Sequence, residues 1–111
     1  MRLLSRSEEL VLLTVWKLEQ EAYCVPIRDE LIKATGQNWS FGSIYDPLDR
    51  LERKKLLKSH LTEPVKERGG RSKRIYRLTK HGKNALLELR RIQENLWAET
   101  TGIEPLPKKS R

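Results

Sequence analysis

Between Leu56 and Leu57 the apolar period of this chain changes, and that change restricts the fold more than any other feature. Up to Lys54 the apolar residues recur at steps of three and four, as they do on one side of a helix. From Leu57 to Thr62 they alternate, with Leu57, Ser59 and Leu61 facing one way and Lys58, His60 and Thr62 the other. The same two-residue period returns in Arg74, Tyr76 and Leu78, set against Lys73, Ile75 and Arg77. By Lys80 the helical period is back. Alternation predicts strands, and the segment between them, with Pro64, Gly69 and Gly70, predicts a turn. The two strands pair most simply as an antiparallel hairpin.

The flanking helices carry their own punctuation. Ser5-Arg6-Ser7-Glu8 fits a capping box, in which the Ser5 hydroxyl accepts from the Glu8 amide and the Glu8 carboxylate reaches back. A first helix then runs to about Glu19, gathering Leu10, Val11, Thr14, Val15 and Leu18 on one face and pointing Trp16 elsewhere. Glu21 to Cys24 form a connector. Pro26 suits the first turn of a second helix, which buries Ile27, Leu31 and Ile32 and stops at Thr35-Gly36. Ser40 is the expected N-cap of a third helix reaching Lys54, with Ile44, Leu48 and Leu51 inward and Pro47 loosening its first half. Thr79 caps a last helix from Lys80 to Ala98. Residues 99–111, with two prolines and a basic end, read as a flexible tail.

The fold class expected is α+β and mainly helical: a winged helix-turn-helix of three helices, a hairpin wing and a long C-terminal helix. Residues 5–79 are expected to form the winged unit that would bind DNA and 80–98 a dimerisation helix, for the reasons of charge and spacing that follow. With 111 residues the chain makes one domain.

Residues 68 to 83, RGGRSKRIYRLTKHGK, hold seven cations and no acid. The whole chain carries a formal charge of +8. Like charges crowded on a glycine-hinged tip repel one another unless an external polyanion neutralises them. Arg68, Gly70, Arg71, Lys73 and Arg74 are therefore candidate phosphate contacts, each able to release counterions on binding. In a winged helix the third helix enters the major groove and the hairpin lies along the backbone. On the outer side of that helix Ser40, Ser43, Tyr45, Arg50 and Arg53 are the candidate contacts, Ser and Tyr through adaptable hydroxyls and Arg to phosphate or guanine. Asp46 opposes phosphate unless it accepts from a cytosine amino group or pairs with a nearby Arg. Bland readings stand beside these: a solvated basic loop, Ser40 as a cap only, Tyr45 partly in the core.

Ala85, Leu89, Ile92 and Leu96 recur at steps of four, three and four, a heptad seam with Leu86 and Trp97 beside it. A helix of this length outruns so small a domain, so its distal half is expected to pair with a second copy, helped by Leu10 and Leu13 of the first helix. Trp16 and Trp97 could line a cavity there for a planar aromatic ligand, although aromatics at such spacing more often serve packing. The rivals to a DNA-binding regulator are a small-molecule sensor of that kind and a winged-helix protein-interaction module.

Other classes lack support. The apolar run Leu10 to Leu13 is far too short to span a bilayer, and the N-terminus offers no cleavage signal. The single Cys24 allows no internal disulfide and suits a reducing cytoplasm. Neither a phosphate-binding glycine loop nor a metal-ligand spacing is present, since His60 and His81 fall on different elements. No enzyme activity, metal or cofactor is expected.

The stretches YCVPIRDEL, SFGSIYDPLDRLERKKLL and ERGGRSKRIYRLTKHGKNAL resemble the signature segments of the PadR family of bacterial transcriptional regulators, over about Ser5 to Trp97. The resemblance implies a cytoplasmic, dimeric winged-helix regulator, commonly a repressor, on inverted-repeat operators. It implies DNA contacts at Ser40, Ser43, Tyr45, Arg50, Gly70, Arg71, Lys73 and Arg74. It further implies the short, single-domain subgroup, which dimerises through the first and last helices and in some members admits an aromatic effector near Trp97. Two positions depart from the pattern: Cys24 and Lys55 stand where the family usually has glycine.

Overall fold

The computed structural model describes residues 3–64 and 72–100. Its elements are α1 (Arg6–Leu18), a 3-10 turn (Glu19–Glu21), α2 (Cys24–Thr35), α3 (Phe41–Arg53), β1 (Leu57–Leu61), β2 (Arg74–Leu78) and α4 (Lys80–Ala98). The order is that of a winged helix-turn-helix, mainly helical, with one two-stranded antiparallel sheet. α3 is continuous through Pro47, whose ring is buried on the inner face. Only the exposed Ser43 carbonyl, four residues back, loses a helical donor to the proline.

α1, α3 and α4 each start on a residue that caps with its side chain. The Ser5 hydroxyl accepts from the Glu8 amide at 3.1 Å while the Ser5 amide donates to Glu8 Oε1 at 2.9 Å, closing the capping box. The Ser40 hydroxyl accepts from the Ser43 amide, and that of Thr79 from the Gly82 amide, each at 3.0 Å. At the end of α2, Gly36 sits at φ 69°, the left-handed position that a side chain resists.

The core lies between α1, α2, α3 and the inner face of the hairpin. Val11, Leu12, Val15, Ile27, Leu31, Ile44, Leu48, Leu51 and Leu57 are fully enclosed there. Each large aliphatic chain so buried contributes roughly 1.5–3 kcal/mol. Leu12 lies outside the face expected for α1, which is wider than the five residues picked out by spacing.

In the sheet, Leu57 pairs with Leu78, Ser59 with Tyr76 and Leu61 with Arg74. Ile75 and Tyr76, on opposite faces of β2, are both buried. The Tyr76 amide donates to the Ala22 carbonyl at 2.9 Å, so the chain leaving α1 runs beside β2. The second face of the hairpin therefore looks onto the end of α1, where Val15, Trp16 and Ile75 line one groove.

α4 packs alongside α1 in the opposite direction. Lys83 lies over the Trp16 ring at one end, and Gln93 donates to Glu9 at 2.9 Å at the other. Its start is locked to the turn after α3. The Thr79 hydroxyl donates to the Lys55 carbonyl at 2.7 Å, and a Cβ on Gly82 would stand 2.2 Å from the Leu56 carbonyl oxygen. Glycine is thus required at 82 by close approach, not by backbone angle. The expected seam divides. Leu89 is buried within the chain together with Gly82 and Leu86, Ala85 and Ile92 are half-buried, and Leu96 and Trp97 are exposed.

Candidate nucleic-acid interface

With Ile44, Pro47, Leu48 and Leu51 turned inward, α3 presents Gly42, Ser43, Tyr45, Asp46, Asp49, Arg50 and Arg53 to solvent. Ser40 and Ser43 are exposed but locally engaged, since the Ser43 hydroxyl also donates to the Ser40 carbonyl at 2.7 Å. Each hydroxyl oxygen retains acceptor capacity. Tyr45 is 52% exposed, so it is not a core residue. The Cys24 thiol at the start of α2 interacts with its hydroxyl and raises the tyrosine pKa. Burial raises the Cys24 pKa as well, with Tyr45 opposing it, so the thiol is not activated.

The arginines of α3 are not free. Arg53 pairs with Asp49 at 2.8 Å, both well exposed, an arrangement of small net energy that phosphate can displace. Arg50 donates through Nε to Glu8 Oε2 at 3.1 Å, and Lys54 donates to the same oxygen at 2.8 Å. Glu8 is only 3% exposed. Burial on its own would raise the Glu8 pKa, but the bonds from Lys54, the Ser5 amide and Arg50 outweigh it and hold the group at about 2. One carboxylate thus caps α1 and fixes the C-terminal half of α3. Composition gave no hint of this pairing, because the partners lie more than 40 residues apart.

The hairpin stands directly beside α3. Arg74 Nη1 donates to the Ser59 hydroxyl at 2.9 Å, and that hydroxyl donates to Glu52 at 2.8 Å. Three elements, β2, β1 and α3, are joined by that chain, and Arg74 keeps an exposed position. Lys73 leans the other way, its ammonium 4.0 Å from the Tyr23 ring centroid. Arg68, Gly70 and Arg71, the remaining wing candidates, lie outside the described residues.

Phe41 is a surface feature that spacing concealed. It falls three residues before Ile44, on the inward stripe, yet as the first residue of α3 it rises clear of the core and is 44% exposed. The Arg28 guanidinium lies 5.0 Å from its ring centroid. Among the described residues no cluster of His, Cys, Asp or Glu could hold a metal, and no helix is long and apolar enough to cross a membrane.

Comparison with known proteins agrees with this geometry. The chain is similar to a PadR-like transcriptional regulator from Bacillus cereus strain ATCC 14579, with 24% identity over 82% of this chain and 84% of the other and a TM-score of 0.67. It is similar to a PadR family transcription regulator from Clostridium difficile R20291, with 24% identity, 85% and 93% coverage and a TM-score of 0.68. A padr family transcriptional regulator from Eggerthella lenta DSM 2243 shares 27% identity over 80% of this chain and 75% of its own, with a TM-score of 0.64. No curated protein matches. The model of the transcriptional regulator PadR-like family matches residues 12–88, from the middle of α1 through the helices and hairpin to the first half of α4. By that match the chain belongs to the PadR-like family of transcriptional regulators.

Proposed function

We propose that this protein is a sequence-specific DNA-binding repressor that occupies an inverted-repeat operator as a homodimer in the cytoplasm. Residues 5–79 act as its DNA-binding domain and 80–98 as its dimerisation helix. The observation that carries the reading is the Glu52–Ser59–Arg74 chain, which joins α3 to both strands of the hairpin. A duplex lying across helix and hairpin would meet Ser40, Ser43, Tyr45, Arg50 and Arg53 from the helix. From the wing it would meet Lys73, Arg74 and the basic tip with Arg68, Gly70 and Arg71. The charge of +8 supports a polyanionic partner. Two-fold symmetry calls for half-sites centred about one helical turn apart, roughly 10 bp.

The test is duplex binding over a range of salt. A Lys73→Ala/Arg74→Ala double variant should bind all sequences more weakly, and the slope of log affinity against log salt should fall by about 1 to 2. Unchanged affinity and slope would remove the wing from the contact. A complete lack of duplex binding by the parent protein would favour a protein-interaction module instead. The exposed ring of Trp97 supports one second reading, an aromatic effector stacked between protomers. Planar aromatic compounds should then quench tryptophan fluorescence, and a broad panel without effect would dismiss it.

A further inference from the structure

An exposed phenylalanine at the mouth of a DNA-facing helix needs a reason. Phe41 gains little from its own fold, yet the fold holds it firmly. Arg28, whose guanidinium lies by the ring, donates through Nε to the Trp39 carbonyl at 2.6 Å. Trp39 in turn donates from its indole to the Thr35 hydroxyl at 3.1 Å. The turn between α2 and α3 is thereby braced around the ring. Tyr45, one turn further along the same side of α3, is likewise exposed. Between them Gly42 has open space where a side chain would stand, its nearest neighbour being the Ser40 hydroxyl at 3.9 Å.

The major groove offers these rings few apolar surfaces. Its floor consists of hydrogen-bond donors and acceptors, apart from the C5-methyl group of thymine. We infer that Phe41, together with Tyr45, determines specificity by packing on thymine methyl groups in each half-site. Four residues of α3 rise about 6 Å, and successive bases on a strand are about 3.4 Å apart. Methyl groups within two base steps therefore fall beneath the two rings. The inference rests on the DNA-binding reading and goes beyond it by naming the base feature that is read.

The experiment begins with selection of a preferred duplex from a random library, followed by replacement of the half-site thymines with deoxyuridine. Deoxyuridine keeps every hydrogen-bonding group and lacks only the methyl. Affinity should fall about five- to tenfold for each methyl in contact, the low end of what one methyl is worth in an apolar contact. Phe41→Ala should keep only the part of the thymine preference that Tyr45 supplies, while Phe41→Leu should keep most of it. The inference is overturned if the parent protein binds both duplexes equally, or if Phe41→Ala still prefers thymine as strongly as the parent. Those results leave DNA binding intact; an absence of binding to any duplex overturns both readings.

Discussion

Glu8 shows what one buried carboxylate does when three donors converge on it. Its Oε1 accepts from the Ser5 amide and its Oε2 from Arg50 and Lys54, so the start of α1 and the end of α3 are held by a single group. The folded pKa of about 2 lies below the ordinary 4.5. The folded state therefore favours the ionised form, and the resulting stability is fully present above about pH 4.5. It is lost as pH falls through the window down to about 2. A depression of that size corresponds to about 3 kcal/mol. Glu8→Gln should lower the urea-unfolding free energy by about 2 to 3 kcal/mol at pH 7, and the gap from the parent should close as pH approaches 2. A gap that stays constant from pH 7 to pH 3 would mean that the carboxylate's charge does not support the fold. The bond also qualifies the place of Arg50 in the interface. Its Nε is committed to Glu8, so any reach toward DNA falls to its terminal nitrogens.

At the scale of elements, signals carried by neighbouring residues were legible and signals carried across the chain were not. Ser5, Ser40 and Thr79 announced three helix starts because a cap acts within three residues. The change of period after Leu56 announced the hairpin. The pairing of Ala22 with Tyr76 left no local trace, and alternation alone does not show that both faces of β2 are covered. Within the candidate interface the outward position of Tyr45, Arg50 and Arg53 followed from helical spacing, but the partners holding Arg50 and Phe41 did not. The turn from α3 to β1 joins both kinds of signal. The Lys55 amide donates to the Glu52 carbonyl and that of Leu56 to Leu51, each at 3.0 Å, the hydrogen bonds of a Schellman ending. Such an ending places its left-handed residue at Lys55, which stands at φ 65° with a full side chain where glycine is the usual occupant. Left-handed backbone costs a non-glycine residue about 1 to 2 kcal/mol, partly offset by the greater unfolded entropy of glycine. Lys55→Gly should therefore stabilise the protein by about 0.5 to 1 kcal/mol, read as a higher urea midpoint at unchanged slope. A lower midpoint would show that the lysine side chain contributes more than its backbone loses.

At the scale of the whole molecule, what demands explanation is apolar surface that one copy leaves uncovered. α1 and α4 run side by side in opposite directions, bound at Trp16–Lys83 and Glu9–Gln93. Beyond Gln93 the last turns of α4 carry Leu96 at 63% exposure and Trp97 at 59%, while Leu13 on α1 and Leu3 ahead of it are also exposed. A second copy related by a two-fold axis would cover these residues with the same residues of its own. In the proposed dimer Leu89 would contribute less than the heptad spacing implies, because its own chain already buries it. The decisive substitution is therefore distal. Leu96→Glu/Trp97→Ala should sediment as a monomer at concentrations where the parent sediments as a dimer. Its thermal unfolding should stay cooperative, since Leu12, Ile44 and Leu48 form a core that does not include the changed residues. The same variant reports on DNA. Linking two half-site contacts raises affinity by effective concentration, so a monomer should bind the full inverted repeat about a hundredfold more weakly than the dimer does. It should also be indifferent to a 5 bp insertion between half-sites, which turns them to opposite faces of the duplex and should strip the parent dimer of the same advantage. A variant that sediments as a monomer yet keeps both full affinity and sensitivity to spacing would show that something other than α4 joins the two DNA-binding units.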